Sequence, residues 1–272
     1  MKASLELLRQ VEAVAREAGA LILQVYAGNF EVRGKADASP VTEADERAER
    51  CIVPALWALD PAVPVVAEEA ASRGATPAVG NRFWLVDPLD GTREFVSRNG
   101  EFTVNIALIE DGAPVLGVVF EPVADRLYAG AVGLGAWLEE RGEQRVGVQG
   151  VQGVKGVRRA IACRQPGVDG LVLACSRSHG DEAALSQWLG GWLGTRTVLR
   201  RVAVGSSLKF GLLAAGQADI YPRLGRTMEW DTAAGHAVLR AAGGEVRDLA
   251  GAPLRYGKPG FENPHFVAQG LP

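Results

Sequence analysis

In "MKASLELLRQVEAVAREAGALILQVY" the apolar residues Leu5, Leu8, Val11, Ala15, Ala18, Ile22 and Val25 follow the spacing of one helical stripe, with Glu and Arg elsewhere. This predicts an amphipathic helix and not a signal peptide, which needs an unbroken apolar run and a cleavage site. A second helix is expected from "SPVTEADERAERCIVPAL", where Thr42, Glu43 and Asp45 make a capping-type start. "VPVVAEEAA" reads as a short strand that ends in Glu68 and Glu69. The run Phe83-Trp84-Leu85-Val86 reads as a buried strand, and Asp87-Pro88-Leu89-Asp90-Gly91-Thr92 as a turn stiffened by proline and opened by glycine. From Phe102 to Glu140 alternation, β-branched residues and an Asp111-Gly112 signal describe antiparallel strands joined by hairpins.

The second half changes character. "LVLACSRSH" is a strand running into a polar turn, and "DIYPRLG" and "EVRDL" are further strands. Between them lie three helical segments, "DEAALSQWLGGWL", "VGSSLKFGLLAAGQA" and "EWDTAAGHAVLRAAGG". Strands alternating with helices indicate an α/β layer arrangement, against an α+β first half. The expected division is an N-terminal α+β domain over residues 1–150 and a C-terminal α/β domain over 151–272. At that boundary lies "VGVQGVQGVKGV", residues 146–157, a Gly-Val-x near-repeat whose period of three fits neither helix nor strand. It reads as a slipped-repeat loop or a flexible hairpin arm.

Composition narrows the classes. A chain of 272 residues, 47% hydrophobic, can build one large or two closely packed domains with a substantial core. Its formal net charge of −3 argues against a nucleic-acid polymer as partner, although a local basic patch is compatible with it. The three cysteines, Cys51, Cys163 and Cys175, show no CxxC, and the three histidines form no metal-binding pair. A metal, if used, is therefore held by oxygen. No stretch is long and apolar enough to span a bilayer, so stable membrane insertion is not expected and the expected location is cytoplasmic.

Acidic residues sit at the ends of apolar segments: Asp45, Glu68 with Glu69, Asp87 with Asp90, and Asp231. Singly they have bland readings. Asp45 could complement a helix dipole, Glu68 and Glu69 could lie on a charged loop, and Asp231 could cap "TAAGHAVL". The Asp87–Asp90 pair is harder to dismiss, because carboxylates at the end of a buried strand are costly without a positive partner. With the Leu89 carbonyl they form a set of hard oxygen donors, the kind Mg²⁺ prefers. Two metals sharing Asp87 could hold the attacking and leaving oxygens of a phosphoester. Gly91 and Thr92 then lie where a helix could begin, with backbone N–H groups for a phosphate, and the Thr92 hydroxyl could orient a water.

"DPLDGTREF", preceded by "AEE" and followed far downstream by "EWDTAAG", resembles the signatures of the Mg²⁺-dependent, lithium-sensitive phosphomonoesterase superfamily that includes inositol monophosphatase. The resemblance covers nearly the whole chain and implies a layered αβαβα sandwich, combining α+β and α/β parts, with metals between the halves. "RNGEFTVNIALIEDGAPVLGVVFEP", "SRSH", "GSSLKF" and "YPRLGRTMEWDTAAGHAVL" look most like the bacterial 3'(2'),5'-bisphosphate nucleotidases. Those remove the 3'-phosphate from adenosine 3',5'-bisphosphate, a by-product of sulfate assimilation, so a phosphorylated nucleotide is the implied small-molecule partner.

By resemblance, Glu68 binds one metal and orients the water with Thr92. Asp87 bridges two Mg²⁺ ions, the Leu89 carbonyl completes the first site, and Asp90 and Asp231 hold the second near the leaving oxygen. Asp45 supports a third, weaker metal site or the water itself, and Glu69 takes a surface role or stands behind the ligands. Gly91, Thr92, Arg93 and Asp231 would touch the phosphate end of the substrate. His179, Ser206, Lys209 and Arg223 would contact base, ribose or 5'-phosphate, with a solvated helix face as the plain alternative for Lys209 and a surface position for His179. Ala67 stands where these relatives have glycine, and Arg93 where they have lysine. An inositol, sugar or histidinol phosphate is the alternative substrate, and a catalytically silent metal- or anion-binding regulator the alternative class. Monomer and homodimer both stay open.

Overall fold

The computed structural model of the chain describes residues 3–34, 40–140, 156–177 and 182–271. Helix α1 (Leu5–Tyr26) starts at Ser4, whose hydroxyl accepts the Leu7 N–H, and buries Leu8, Val11, Ala15, Ala18, Ile22 and Val25. Leu5 departs from the expected stripe and is 44% exposed. It lies six residues before Val11, about 120° away around the helix, and Leu7 fills the face instead. A short antiparallel pair, β1 (Val32–Gly34) and β2 (Pro40–Thr42), leads into α2 (Glu43–Leu59). There Thr42 and Asp45 form the capping box read from the sequence.

The first sheet has seven strands in chain order: β3 (Val65–Ala67), β4 (Arg82–Asp90), β5 (Thr103–Glu110), β6 (Ala113–Glu121), β7 (Arg126–Ala131), β8 (Gly135–Glu140) and β9 (Val157–Ile161). Only the β3–β4 pair is parallel. Asp111 and Gly112 both take positive φ, 48° and 72°, and close the β5–β6 hairpin as the Asp-Gly signal predicts. Two short helices interrupt the early strands, α3 (Glu68–Ser72) and α4 (Thr92–Val96). The Gly-Val-x segment lies outside the described residues up to its last two, and Val157 opens β9.

The second sheet holds β10 (Leu171–Ser176), β11 (Val198–Val204), β12 (Ile220–Arg223), β13 (Glu245–Asp248) and β14 (Phe266–Gln269), in the order β11-β10-β12-β14-β13. Strand β10 is parallel to both its neighbours, whereas β14 runs antiparallel to β12 and β13. Its helices are α5 (Glu182–Trp192), α6 (Leu208–Ala214) and α7 (Glu229–Ala241).

Alternation along the strands builds the layers. In β4, Trp84 and Val86 face the core formed with α1 and α2, while Phe83 and Leu85 face the core that contains α6 and α7. That second core also receives Val172, Ala174, Tyr221 and Phe266 from the second sheet, whose other face meets α5 through Leu171, Leu173, Leu185 and Leu189. The result is the αβαβα sandwich. Helix α7 lies very close to the first sheet: a Cβ on Gly117 would come within 2.4 Å of the Ala234 carbonyl oxygen. Ala234 and Ala237 are small where they meet Gly117, and Gly235 is small for a different neighbour, since a Cβ there would come within 2.5 Å of the Phe210 ring on α6. Among the described residues, no helix is long and apolar enough to cross a membrane.

Candidate active site

Asp87 and Asp90 do not lie on a proline-fixed turn. Strand β4 continues through Asp90, and its pairing with β5 shifts register between Asp87 (opposite Asn105) and Asp90 (opposite Thr103). Two residues, Pro88 and Leu89, oppose Val104 alone, which is a β-bulge. In a regular strand, residues three apart point to opposite faces. The extra residue cancels that inversion, and both carboxylates line one cleft. Gly91 follows at φ 90°, a left-handed conformation suited to glycine, and α4 begins at Thr92.

The other acids come from helix starts. Asp45, third residue of α2, accepts the Thr42 N–H and hydroxyl on Oδ2, each at 2.8 Å, and the Thr92 hydroxyl on Oδ1 at 3.2 Å. The Thr92 hydroxyl also lies 3.3 Å from the Leu89 carbonyl oxygen. Glu68 opens α3, a helix too short to show in the periodicity. Its backbone is fixed by Glu49, whose Oε2 accepts the N–H groups of Glu69 and Ala70 at 2.8 and 3.2 Å. Asp231 is not the cap of α7, since the helix begins two residues earlier. As the third residue it reaches back to accept the Met228 N–H at 2.8 Å. Glu69 is only 2% exposed, so the surface alternative for it fails.

Glu68, Asp87, Leu89, Asp90, Gly91, Thr92, Arg93, Ser206, Lys209, Arg223 and Asp231 all line a single cleft of about 230 Å³ between the bulge, α6 and α7. Asp45 joins it through Thr92. His179 lies outside the described residues. Asp87 is 1% exposed, and its carboxyl is held well above the ordinary range, first by burial and then by the charges of Glu68, Asp90 and Asp231. Asp231 is raised well above its usual value by burial, then by Asp90 and Glu68, and the Met228 N–H and the Arg223 guanidinium pull it back only in part.

This donor set fits a hard divalent cation: like charges are gathered out of water beside a main-chain carbonyl, and positive charge from the chain offsets them incompletely. Among the described residues no three acidic, His or Cys side chains close on one point as a finished cage. An ion of the Mg²⁺ type needs none, because it takes one or two carboxylates and keeps several waters.

The basic side of the cleft differs from its reading in sequence. Lys209 is neither a solvated residue nor a free cation. It is 5% exposed, and its ammonium donates to the carbonyls of Val204, at 3.2 Å, and Ser206. Burial lowers it to about 8, against the opposing pull of Asp90. Arg223 donates to the Ser176 hydroxyl at 2.8 Å and the Arg226 carbonyl at 3.1 Å. Arg93 is exposed on the first turn of α4. Arg177 enters the cleft as well, gripped by both oxygens of Glu101 at 2.6 and 2.7 Å.

Sequence reasoning missed Thr103, Asn105 and Ser207. Thr103 and Asn105 are polar residues two apart in the otherwise apolar run "FTVNIALI", so they share a face, and that was the available signal.

A family model described as the inositol monophosphatase family matches residues 4–269. The 3'(2'),5'-bisphosphate nucleotidase CysQ of Escherichia coli (strain K12) is 48% identical over 263 residues, covering 96% of this chain and 98% of the other. Among solved structures, CysQ from Bacteroides thetaiotaomicron, described as a bacterial member of the inositol monophosphatase family, matches with a TM-score of 0.76 and 37% identity over 98% of each chain. An inositol monophosphatase from Zymomonas mobilis matches with a TM-score of 0.74 and 26% identity, covering 100% of this chain and 95% of that one.

Proposed function

This chain belongs to the inositol monophosphatase family, and from that premise we propose that it is a Mg²⁺-dependent 3'(2'),5'-bisphosphate nucleotidase that converts adenosine 3',5'-bisphosphate to AMP and phosphate. The observation that carries this reading is the gathering of Glu68, Asp87, Asp90 and Asp231 in one cleft with Thr92 and with cations. Identity to the Escherichia coli nucleotidase along nearly the full length of both chains supports the choice of substrate.

Glu68, Asp87 and the Leu89 carbonyl would hold one Mg²⁺, and Asp87, Asp90 and Asp231 a second. Bound there, the ions supply Lewis-acid activation of a water and neutralise charge on the phosphoryl oxygens. The protein's own work is orientation and proton handling. Thr92 Oγ1 stands between Asp45 Oδ1 and the Leu89 carbonyl and has one proton for the two acceptors. Its remaining lone pair can take a proton from an attacking water as its own proton passes to Asp45. Glu68 is the alternative acceptor at the same water. As the water oxygen bonds to phosphorus, the phosphorus–O3' bond breaks and its electron pair leaves on O3', which a second proton from solvent neutralises.

A nucleotide bisphosphate brings a second phosphate that requires positive charge away from the acids. Arg223 offers a planar fork and Arg93 an exposed guanidinium in the same cleft. Lys209 contributes field and not contact, because its hydrogen bonds go to the main chain.

A substrate panel with Mg²⁺ tests the proposal. Adenosine 3',5'-bisphosphate is expected to be hydrolysed at least tenfold faster, by kcat/KM, than inositol 1-phosphate or fructose 1,6-bisphosphate. Faster hydrolysis of inositol 1-phosphate would make the inositol phosphatase reading the correct one.

A further inference from the structure

The turn Gly205-Ser206-Ser207, which precedes α6, is built under constraint. Ser206 has φ 52°, a left-handed conformation that is unfavourable for a non-glycine residue. Gly205 has no room for a side chain, since a Cβ there would lie 2.7 Å from the Glu101 carbonyl oxygen. Its N–H donates to Glu101 Oε2 at 2.8 Å, and Lys209 ties down the carbonyls of Val204 and Ser206.

What this held turn delivers is a set of donors on one atom of Asp90. The hydroxyls of Ser206 and Ser207 each lie 2.8 Å from Asp90 Oδ2, and Asn105 Nδ2 lies 3.3 Å from it. Asn105 Nδ2 also donates to Ser207 Oγ at 2.9 Å. The Ser207 proton is therefore directed away from Asn105, toward Asp90 Oδ2 or toward the Asp231 carbonyl at 2.7 Å. Of those two acceptors the carboxylate makes the stronger, charge-assisted bond. Oδ2 is thus fully occupied, whereas Asp90 Oδ1 has no hydrogen-bond partner among the described residues.

We propose that Ser207, backed by Asn105, is a positioning residue for Asp90: the pair fixes Oδ2 as an acceptor and so presents Oδ1 to the cation. The proposal rests on the reading of Asp90 as a cation ligand. Ser207 also joins the two halves of the site, because the same hydroxyl touches the ligand at the end of β4 and the main chain of the ligand on α7. Outer groups that orient ligands typically change metal affinity by about 10- to 100-fold.

The test is Mn²⁺ binding to the metal-free full-length protein, read by electron paramagnetic resonance and calorimetry, together with the Mg²⁺ dependence of turnover. Ser207→Ala and Asn105→Ala are each expected to weaken Mn²⁺ binding about tenfold and to raise half-saturating Mg²⁺ about as much. At saturating Mg²⁺, kcat should stay within about threefold of the natural chain, and the double variant should lose much less than the sum of the singles. A purely structural role would lower the melting temperature and leave Mn²⁺ affinity untouched, and that result overturns the proposal. Asn105→Ala changes no residue of the strained turn, so it decides the matter if Ser207→Ala does not fold. Asp90→Asn is the reference. If it binds Mn²⁺ normally, the reading of Asp90 as a ligand fails. If it loses binding while the other two variants bind normally, only the positioning role fails.

Discussion

Asp90 accepts hydroxyls and an amide on Oδ2, and Asp45, Asp87 and Asp231 are tethered in a related way. Asp45 gives Oδ2 to the Thr42 N–H, Asp231 gives Oδ2 to the Met228 N–H, and Asp87 gives Oδ1 to the Leu89 N–H at 3.1 Å. One oxygen of each of these carboxylates fixes its rotamer, so little side-chain entropy remains to be lost when the other is used. These charges were legible in the sequence as acids at the ends of apolar runs. The tethers on Asp90 were not, because Asn105 and Ser207 stand 15 and 117 residues away along the chain. Lys209 carries the same lesson: its charge was legible, and its use on main-chain carbonyls was not. At this scale, Asp90→Asn is expected to keep circular dichroism and melting behaviour close to those of the natural chain. Phosphate release should fall at least 100-fold, which corresponds to about 2.7 kcal/mol in the barrier. Near-normal activity in this variant would remove Asp90 from the metal site.

The first turns of α2, α3, α4 and α7 supply Asp45, Glu68, Thr92 and Asp231 respectively. Helix N-termini carry partial positive charge, which eases the gathering of acids and favours a bound anion. The long elements were legible because α1, α2 and α7 repeat at the helical period, β4 opens on an unbroken apolar run, and alternation with β-branched residues marks β5 to β8. Helix α3 and the β4 bulge were not, since five residues are too few to display a period and an extra residue leaves no compositional mark. Helix α7 also carries a buried histidine: His236 Nδ1 lies 2.9 Å from the Tyr256 hydroxyl, and burial depresses its ring to about 3, the Arg240 charge adding to the effect. The unfolded chain then binds more protons than the folded one between pH 6.5 and about 3. Stability from this group is therefore complete above pH 6.5 and declines as the solution is acidified through that window. At 1.36 kcal/mol per unit the decline amounts to a few kcal/mol. In urea unfolding curves, His236→Gln should show a shallower loss of stability from pH 6 to pH 4; an unchanged slope would mean that other groups carry the acid sensitivity.

At the scale of the whole molecule, two sheets share a central layer of α6 and α7, and the cleft opens where that layer meets the bulged end of β4. The first sheet and α2 to α4 supply Asp45, Glu68, Asp87, Asp90 and Thr92, while Asp231, Ser207 and Arg223 arrive from the later chain. Assembly of the site therefore depends on the seating of α7 against the sheet, which the small residues at Gly117 and Ala234 permit. The fold was legible in the alternation of apolar positions together with the Asp-Pro-x-Asp-Gly-Thr and Trp-Asp-x-Ala-Ala-Gly signatures. The distribution of cations around the cleft was not, because their partners come from other elements. Phosphorus-31 NMR of a reaction with adenosine 3',5'-bisphosphate shows which phosphate leaves and whether a metal ion is required. With Mg²⁺ present the expected products are inorganic phosphate and AMP that retains its 5'-phosphate, and turnover is expected to stop once the ion is chelated by EDTA. Release of the 5'-phosphate instead, or turnover that persists in EDTA, would contradict it.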